Sequence, residues 1–363
     1  MVYELGDHAT LFTLRDGVKR PPASVEKLYT SVAVLSRLGP YAHLHTTVFG
    51  VGHLDPGGVW HGSLYLKGGG DPTFGDGSFN RIWEQGYGPT AAQLAGQLRA
   101  QGIRRVTGPL IGDPSMFARS PGGPATEFGP DIPDYGGELS ALTFDHGSTS
   151  GHLTPAAFAA RQLARTLRSQ QVGVRAAPSI GRTPRHAHKL ASVSSPPMSV
   201  LLKLMDVPSD DLFAEMLTMQ LGKRFGRGGT IADGAHVIRQ VVNSYDVHPK
   251  IVDGSGLSRE DGSSPAEVVA FLRAVWHTPI GRMLTSSLPV VGVSGTVQTI
   301  ADRTPAQGRC FAKTGTLNGV TNLAGYCAAL GHRSLAFALF IDGPPNWSAL
   351  TLLGKMVASI ASY

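Results

Sequence analysis

The feature that most limits how this 363-residue chain can fold is a change of texture along its length. Residues 1–45 and 190–363 carry helical periodicity and apolar strand runs. Residues 46–189 read instead as short strands broken by Gly and Pro, with two helices, the stronger opening at Thr154-Pro155, an N-cap followed by Pro at the first helical position. A tract rich in Pro, Ser, Arg and His, 175–197, marks the return. The chain therefore reads as one unit split in sequence, 1–45 plus 190–363, carrying an inserted domain over 46–189. In the split unit, strands are expected near 2–5 and 10–14, separated by a turn at Gly6-Asp7-His8. A helix over about 24–38 shows the apolar stripe Val25, Leu28, Tyr29, Val32, Leu35 and Leu38, and Gly39-Pro40 stops it. Further helices are expected near 198–206, 209–224, 229–245 and 264–277, then three strands over 309–342 and a closing helix over 346–361. That order predicts an α+β architecture, an antiparallel sheet with helices packed on it.

Composition narrows the function classes. A chain 42% hydrophobic and 16% charged buries a core and is not disordered. The net charge of +6 suits an anionic polymer, either cell wall or nucleic acid. No Lys/Arg run exceeds two residues, which sets nucleic acid aside. No apolar run approaches the ~20 residues of a membrane-spanning helix, so no transmembrane segment is expected. The first thirty residues contain Asp7, Arg15, Asp16, Lys19 and Arg20 and no apolar core of a signal peptide. The protein is then either cytosolic or begins downstream of a removed or unrecorded leader. Two cysteines are too few for a zinc site, there is no H-E-x-x-H, and the pairs His43/His45 and His186/His188 lack i, i+4 spacing. Gly68-Gly69-Gly70-Asp71 is followed by neither Lys-Ser/Thr nor a helix, so it is no phosphate loop, and Asp71 is read as a turn residue. Neither a metal nor a cofactor is expected. No G-x-S-x-G elbow is present either.

Three short motifs carry chemistry. Ser24-Val25-Glu26-Lys27 begins a helix, Ser209-Asp210-Asp211 opens another, and Lys313-Thr314-Gly315-Thr316 lies in the first strand of the C-terminal sheet. Serine is a poor nucleophile until a base takes its proton. At i and i+3 of a helix, Ser24 and Lys27 project from one face within hydrogen-bond reach. A lysine takes that proton only as the free amine, a state favoured by burial or by a second cation such as Lys313. Backbone N–H groups at the helix start supply half of an oxyanion hole, and the Thr316 N–H is a candidate for the other half. The Lys313 cation and the Thr314 and Thr316 hydroxyls suit a substrate carboxylate, while Gly315 permits close backbone approach.

S-x-x-K, S-D-N and K-T-G form the motif set of penicillin-binding proteins and class A β-lactamases. The chain resembles the D-alanyl-D-alanine carboxypeptidase/endopeptidase family of low-molecular-mass class C penicillin-binding proteins over nearly its whole length. The resemblance runs through Pro22 to Thr30, Leu64-Tyr65-Leu66 and Gly68 to Thr73, then Pro208 to Asp211 with Ala214-Glu215. It continues through Asp253 to Ser258, Leu288-Pro289, Gly295-Thr296, Lys313 to Leu317 and Leu323 to Tyr326. It implies a β-lactamase/transpeptidase-like domain with helices on both faces of its sheet. It also implies a serine peptidase whose Ser24 is acylated by D-Ala-D-Ala peptides of peptidoglycan, with Lys27 as base. Ser209 is implied as the proton relay and Lys313 as its electrostatic support. Asp211, Thr314, Gly315 and Thr316 are implied in substrate binding, and β-lactams as inhibitors that acylate the same serine. An extracytoplasmic location follows from the resemblance, with the export signal missing from this chain.

Three departures stand out. The second motif normally ends in Asn; Asp211, ionised, cannot donate to a substrate carbonyl, and its charge opposes a substrate carboxylate unless it pairs with Lys27 or Lys313. Ser24 and Ser209 are 185 positions apart, which leaves room for one inserted domain rather than two. Only 23 residues precede Ser24. Two other readings therefore stay open: a catalytically impaired wall-binding homologue, and a β-lactamase, for which no deacylating glutamate can be assigned. Cys310 and Cys327 flank the Asn318-Gly319 tip at equal distances, so they form either a cross-strand disulfide or two buried thiols.

Overall fold

The computed structural model describes residues 1–118, 138–147, 153–175 and 179–363, so residues 176–178 of the 175–197 tract lie outside it. The described chain divides into two compact units. One comprises Met1–Pro40, Met198–Arg227 and Ile231–Tyr363; the other comprises Tyr41–Pro197 with Gly228–Thr230.

Along the chain, β1 (Val2–Glu4), β2 (Ala9–Phe12) and α1 (Lys27–Arg37) open the first unit. The second unit follows with β3 (His45–Leu54), β4 (Val59–Lys67), α2 (Gly77–Trp83), α3 (Ala91–Ala100), β5 (Arg105–Val106) and β6 (Leu110–Asp113). It ends with α4 (Pro155–Ser169), β7 (Ser179–Ile180) and β8 (His188–Ser194). The first unit resumes with α5 (Met198–Asp206), α6 (Asp211–Phe225), α7 (Ile231–Asn243), α8 (Pro265–Trp276) and α9 (Pro279–Ser287). It closes with β9 (Cys310–Leu317), β10 (Val320–Ala328), β11 (Ser334–Asp342) and α10 (Asn346–Ala361).

The first unit's sheet is antiparallel in the order β2-β1-β11-β10-β9. Period-two alternation gives it two buried faces. Leu323, Cys327, Leu335, Phe337 and Leu339 pack on Leu353, Val357 and Ile360 of α10. On the other face the Tyr326 hydroxyl donates to the Leu272 carbonyl of α8 (2.7 Å). Helices thus cover both faces, as the family resemblance implies. The β9–β10 hairpin turns at Asn318-Gly319 and pairs Cys310 with Cys327, which are joined in a disulfide. That resolves the alternative left open by their spacing. Beside the sheet, α1 is buried from Lys27 to Leu35 and α6 from Asp211 to Gly222. A helix enclosed all round, as α6 is, belongs to a core and not a surface.

Two starts differ from the sequence reading. Ser24 lies in a 3-10 turn, Ala23–Glu26, ahead of α1, because Pro21-Pro22 restrict the approach and Ala23 takes a left-handed φ of 50°. Ser209 lies outside α6, whose N-cap is Asp210, with its carboxylate accepting from the Phe213 N–H (2.9 Å). Helix α9 was not anticipated, although Thr278-Pro279 repeats the Thr-Pro start of α4 and the Thr278 hydroxyl accepts from the Gly281 N–H (3.0 Å).

In the second unit, β3 is antiparallel to β4 and β8, while β6 is parallel to β4 and β7. Helices α3 and α4 contribute Leu94, Leu98, Phe158, Leu163 and Leu167 to a core shared with Leu64 and Leu66 of β4. Asp71 is the turn residue the sequence suggests: its Oδ1 accepts from the Thr73 N–H (2.9 Å) and hydroxyl (2.7 Å).

Candidate active site

The site is assembled by α1, α6, β9 and two connecting segments of the first unit. Ser24, half-buried in its 3-10 turn, is carried by a chain segment pinned from three sides. Asn322 of β10 donates both amide hydrogens outward, to the Pro21 and Pro22 carbonyls (3.0 Å each). Gly315 of β9, opposite Asn322 in the ladder, faces the Pro22 carbonyl and the Val25 N–H so closely that a Cβ would clash. Gly256, at a φ of 83°, meets the Ala23 carbonyl in the same way.

Lys27 is fully buried at the first turn of α1. Its Nζ donates to Ser24 Oγ (3.0 Å), to Asp211 Oδ1 (2.5 Å) and to the Ser255 carbonyl (2.8 Å). The i, i+3 spacing read from the sequence therefore delivers the contact it implies. Asp211 takes the first of the two partners that its departure from Asn left open. Burial pushes the Asp211 carboxyl above the usual range, and the Lys27 ammonium opposes that shift. The Ser255 carbonyl is aimed by a clamp. Asp253 accepts from the N–H groups of Ser255 (3.0 Å), Gly256 (2.6 Å) and Ser258 (2.8 Å), Glu215 accepts from the Ser255 N–H (3.1 Å), and the Thr30 hydroxyl donates to the Gly254 carbonyl (2.8 Å).

A second lysine–serine pair lies across from the first. Lys313 of β9, fully buried, donates to Ser209 Oγ (2.7 Å), and Ser209 holds a left-handed φ of 69°. Strained non-glycine residues cluster at functional sites, and Ala23 and Ser209 adjoin the two hydroxyls. Burial, seconded by the charge of Lys27, lowers the Lys313 pKa to about 7, while Asp206 and Asp211 act the other way. Asp206, fully buried, accepts from the Ser31 (2.9 Å) and Ser287 (2.7 Å) hydroxyls, and burial raises it to about 6.

Strand alternation separates the residues of the third motif. Lys313 and Gly315 face Ser24's segment. The Thr314 hydroxyl lies on the opposite face and donates to Thr296 Oγ1 (2.7 Å), and Thr316 is exposed on the edge strand β9. Lys313, Gly315 and the strand backbone thus lie on the Ser24 side. Sequence reasoning missed Asn322 and the Ser255 carbonyl. The first had a signal, an Asn inside a largely apolar strand, buried from Val320 to Cys327, where it belongs only if its amide is used. A backbone carbonyl has none.

A serine held by one buried lysine, a second serine held by another, and an antiparallel sheet covered on both faces define a serine-type peptidase. A family model described as D-Ala-D-Ala carboxypeptidase 3 (S13) matches residues 1–157 and 152–361, and the chain belongs to that family. Carboxypeptidase DacB of Mycolicibacterium smegmatis is 31% identical over 94% of this chain and 76% of its own length. A carboxypeptidase of Mycobacterium tuberculosis is 28% identical over 93% and 75%. Among solved structures, penicillin binding protein 4 of Haemophilus influenzae superposes with a TM-score of 0.83 at 18% identity, over 100% of this chain and 96% of that one, which shows a shared fold.

Proposed function

We propose that Ser24 is the nucleophile that attacks the carbonyl carbon between the two D-alanines of a D-Ala-D-Ala peptide, with Lys27 taking its proton. The observation that carries this reading is the 3.0 Å contact between Lys27 Nζ and Ser24 Oγ, in a setting where the other two partners of Lys27 are acceptors. Attack forms the Oγ–C bond and moves the carbonyl electrons onto oxygen; the Ser24 N–H and the Thr316 N–H are the donors assigned to that oxyanion. The C–N bond then breaks. Ser209, held by Lys313, gives its proton to the leaving nitrogen and takes one back from the Lys27 ammonium, which returns to the free amine, and terminal D-Ala departs. Water hydrolyses the acyl-enzyme. Lys313 also supplies the cation for a substrate carboxylate.

The substrates in this reading are stem peptides of peptidoglycan, cleaved in carboxypeptidase or endopeptidase mode, and β-lactams acylate Ser24 and leave slowly. The first unit is the catalytic domain and the second the inserted domain. An extracytoplasmic, cell-wall location is supported by the buried disulfide, which suits an oxidising compartment, and by a charge of +6, which suits a polyanionic wall.

Intact mass after incubation with benzylpenicillin tests the reading on the native chain and Ser24→Ala. A stable adduct lost in the variant is expected. Folded native protein without an adduct overturns it in favour of an impaired wall-binding homologue. Rapid penicillin turnover points instead to a β-lactamase.

A further inference from the structure

We propose that Asp211 is a positioning residue for the base: it directs the lone pair of the free Lys27 amine onto Ser24 and sets the pH range in which Ser24 is acylated. The proposal rests on the reading of Ser24 as nucleophile and Lys27 as its base.

Three atoms surround Lys27 Nζ: Ser24 Oγ, Asp211 Oδ1 and the Ser255 carbonyl oxygen. An ammonium fills all three with N–H bonds, whereas a free amine has two N–H bonds and one lone pair. A carboxylate and a backbone carbonyl only accept. The two N–H bonds of the free amine therefore go to Asp211 and Ser255, and the lone pair is left facing the one partner that can donate, the Ser24 hydroxyl. An Asn at this position carries a donor as well as an acceptor. Its amide hydrogen can occupy the lone pair and leave Ser24 facing an N–H bond, a misaligned state that Asp211 removes.

The same carboxylate favours the protonated base. When the Ser24 O–H bond breaks, its proton passes to the Lys27 lone pair and Oγ bonds to the carbonyl carbon, so an ammonium forms 2.5 Å from Asp211. That stabilises the transition state, and it also reduces the share of free amine at low pH. The remaining charged groups around Lys27 are Lys313 on β9, which opposes the ammonium, Asp206 on α5, Glu215 on α6, and Glu26 in its own turn. Asp253, in the Ser255 loop, acts on Asp211 and Glu215. Burial pushes Glu26 and Glu215 well above the usual carboxylate range, and Asp211 is the anion in direct contact with the base.

The test is the second-order rate of acylation by a fluorescent penicillin between pH 5 and 10 for the native chain, Asp211→Asn and Asp211→Glu, with melting curves to confirm folding. For Asp211→Asn the profile is expected to move toward acid by about one unit. The native and variant curves then cross, the variant about twofold faster near pH 6 and about fivefold slower on its plateau. Asp211→Glu, which keeps the charge, is expected to hold the native midpoint while reacting more slowly. A uniform loss across pH in Asp211→Asn, a change confined to the penicillin concentration needed for saturation, or an acid-shifted midpoint in Asp211→Glu overturns the proposal. Native protein that acylates on Ser24 but shares its pH profile with Asp211→Asn overturns this inference alone, and native protein that never acylates overturns both readings.

Discussion

Both units bury ionisable groups, but the two lysines of the site and the raised carboxyls of the second unit meet different partners. In the first unit, Lys27 and Lys313 each end on a serine hydroxyl, and each is balanced by carboxylates, Asp211 and Asp206. In the second unit, Asp71 ends on the Thr73 N–H and hydroxyl and Asp145 on the Asp76 N–H, and burial raises both carboxyls to about 7. A buried cation that meets a hydroxyl can exchange a proton with it. A buried carboxyl that meets backbone N–H groups closes a turn. The same physical signature, a titratable group far from its ordinary range, thus marks reactive and structural positions alike, and what sets the site apart is a buried cation meeting a serine hydroxyl.

The largest expected effects fall on the hydroxyl-facing side of this contrast. Ser24→Ala is expected to abolish the penicillin adduct seen by intact mass. Lys27→Met is expected to lower the acylation rate by about 10²–10⁴-fold, the range of a lost general base. It also leaves the Asp211 carboxyl without its cation, so a melting curve is expected to show a loss of about 3–5 kcal/mol, typical of a broken buried pair. A Lys27→Met variant that acylates at the native rate would place the base elsewhere and erase the contrast.

Asn322→Ala comes next. Its amide holds the Pro21 and Pro22 carbonyls and touches no reacting atom. Displacing the Ser24 segment by a fraction of an ångström is expected to slow acylation about ten- to a hundredfold. Asn322→Asp retains the acceptor but loses both donors and is expected to resemble Ala, whereas Asn322→Gln, whose donors remain, is expected to recover part of the rate. Equal rates for Ala and Gln would show that packing, not these hydrogen bonds, places Ser24.

Much of this was legible in the sequence because it depends on short range or on strict periodicity. Ser24 and Lys27 are one helical turn apart, symmetry about Asn318-Gly319 sets Cys310 opposite Cys327 while leaving disulfide or thiols open, and the three C-terminal strands are apolar runs between turn residues. What escaped depends on tertiary placement. The Ser255 carbonyl reaches Lys27 across 228 positions, and no residue type announces a carbonyl. The Asp211 contact spans 184 positions, and the sequence named Lys27 and Lys313 as its candidate partners without choosing between them. The contact of the Thr314 hydroxyl with Thr296 escaped because strand alternation turns the second residue of the motif away from the face that carries Lys313 and Gly315. Helix α9 escaped because Gly281 in its first turn and Thr285-Ser286-Ser287 at its end leave only Ile280, Met283 and Leu284 to carry a periodic signal.

The smallest effect, and the one that tests the structural side of the contrast, concerns Asp71. Its ordinary value is 3.8 and burial raises it to about 7 in the folded chain. Between those limits the folded state keeps a proton that the unfolded chain gives up, so stability falls as pH rises. The contribution is complete below 3.8 and lost once pH passes about 7. Asp71→Asn keeps the Oδ1 acceptor for Thr73 and cannot ionise. Its melting temperature is therefore expected to exceed the native value at pH 8 and to depend less on pH between 4 and 7, with the slope from Asp145 remaining. Asp71→Ala, which also loses both Thr73 contacts, is expected to melt lower than Asp71→Asn at every pH. Penicillin acylation of Ser24 is expected to be unchanged in Asp71→Asn. A fall in that rate would mean that the carboxyl-to-backbone arrangement of the second unit also governs chemistry in the first, and the partner rule drawn from comparing the two units would fail.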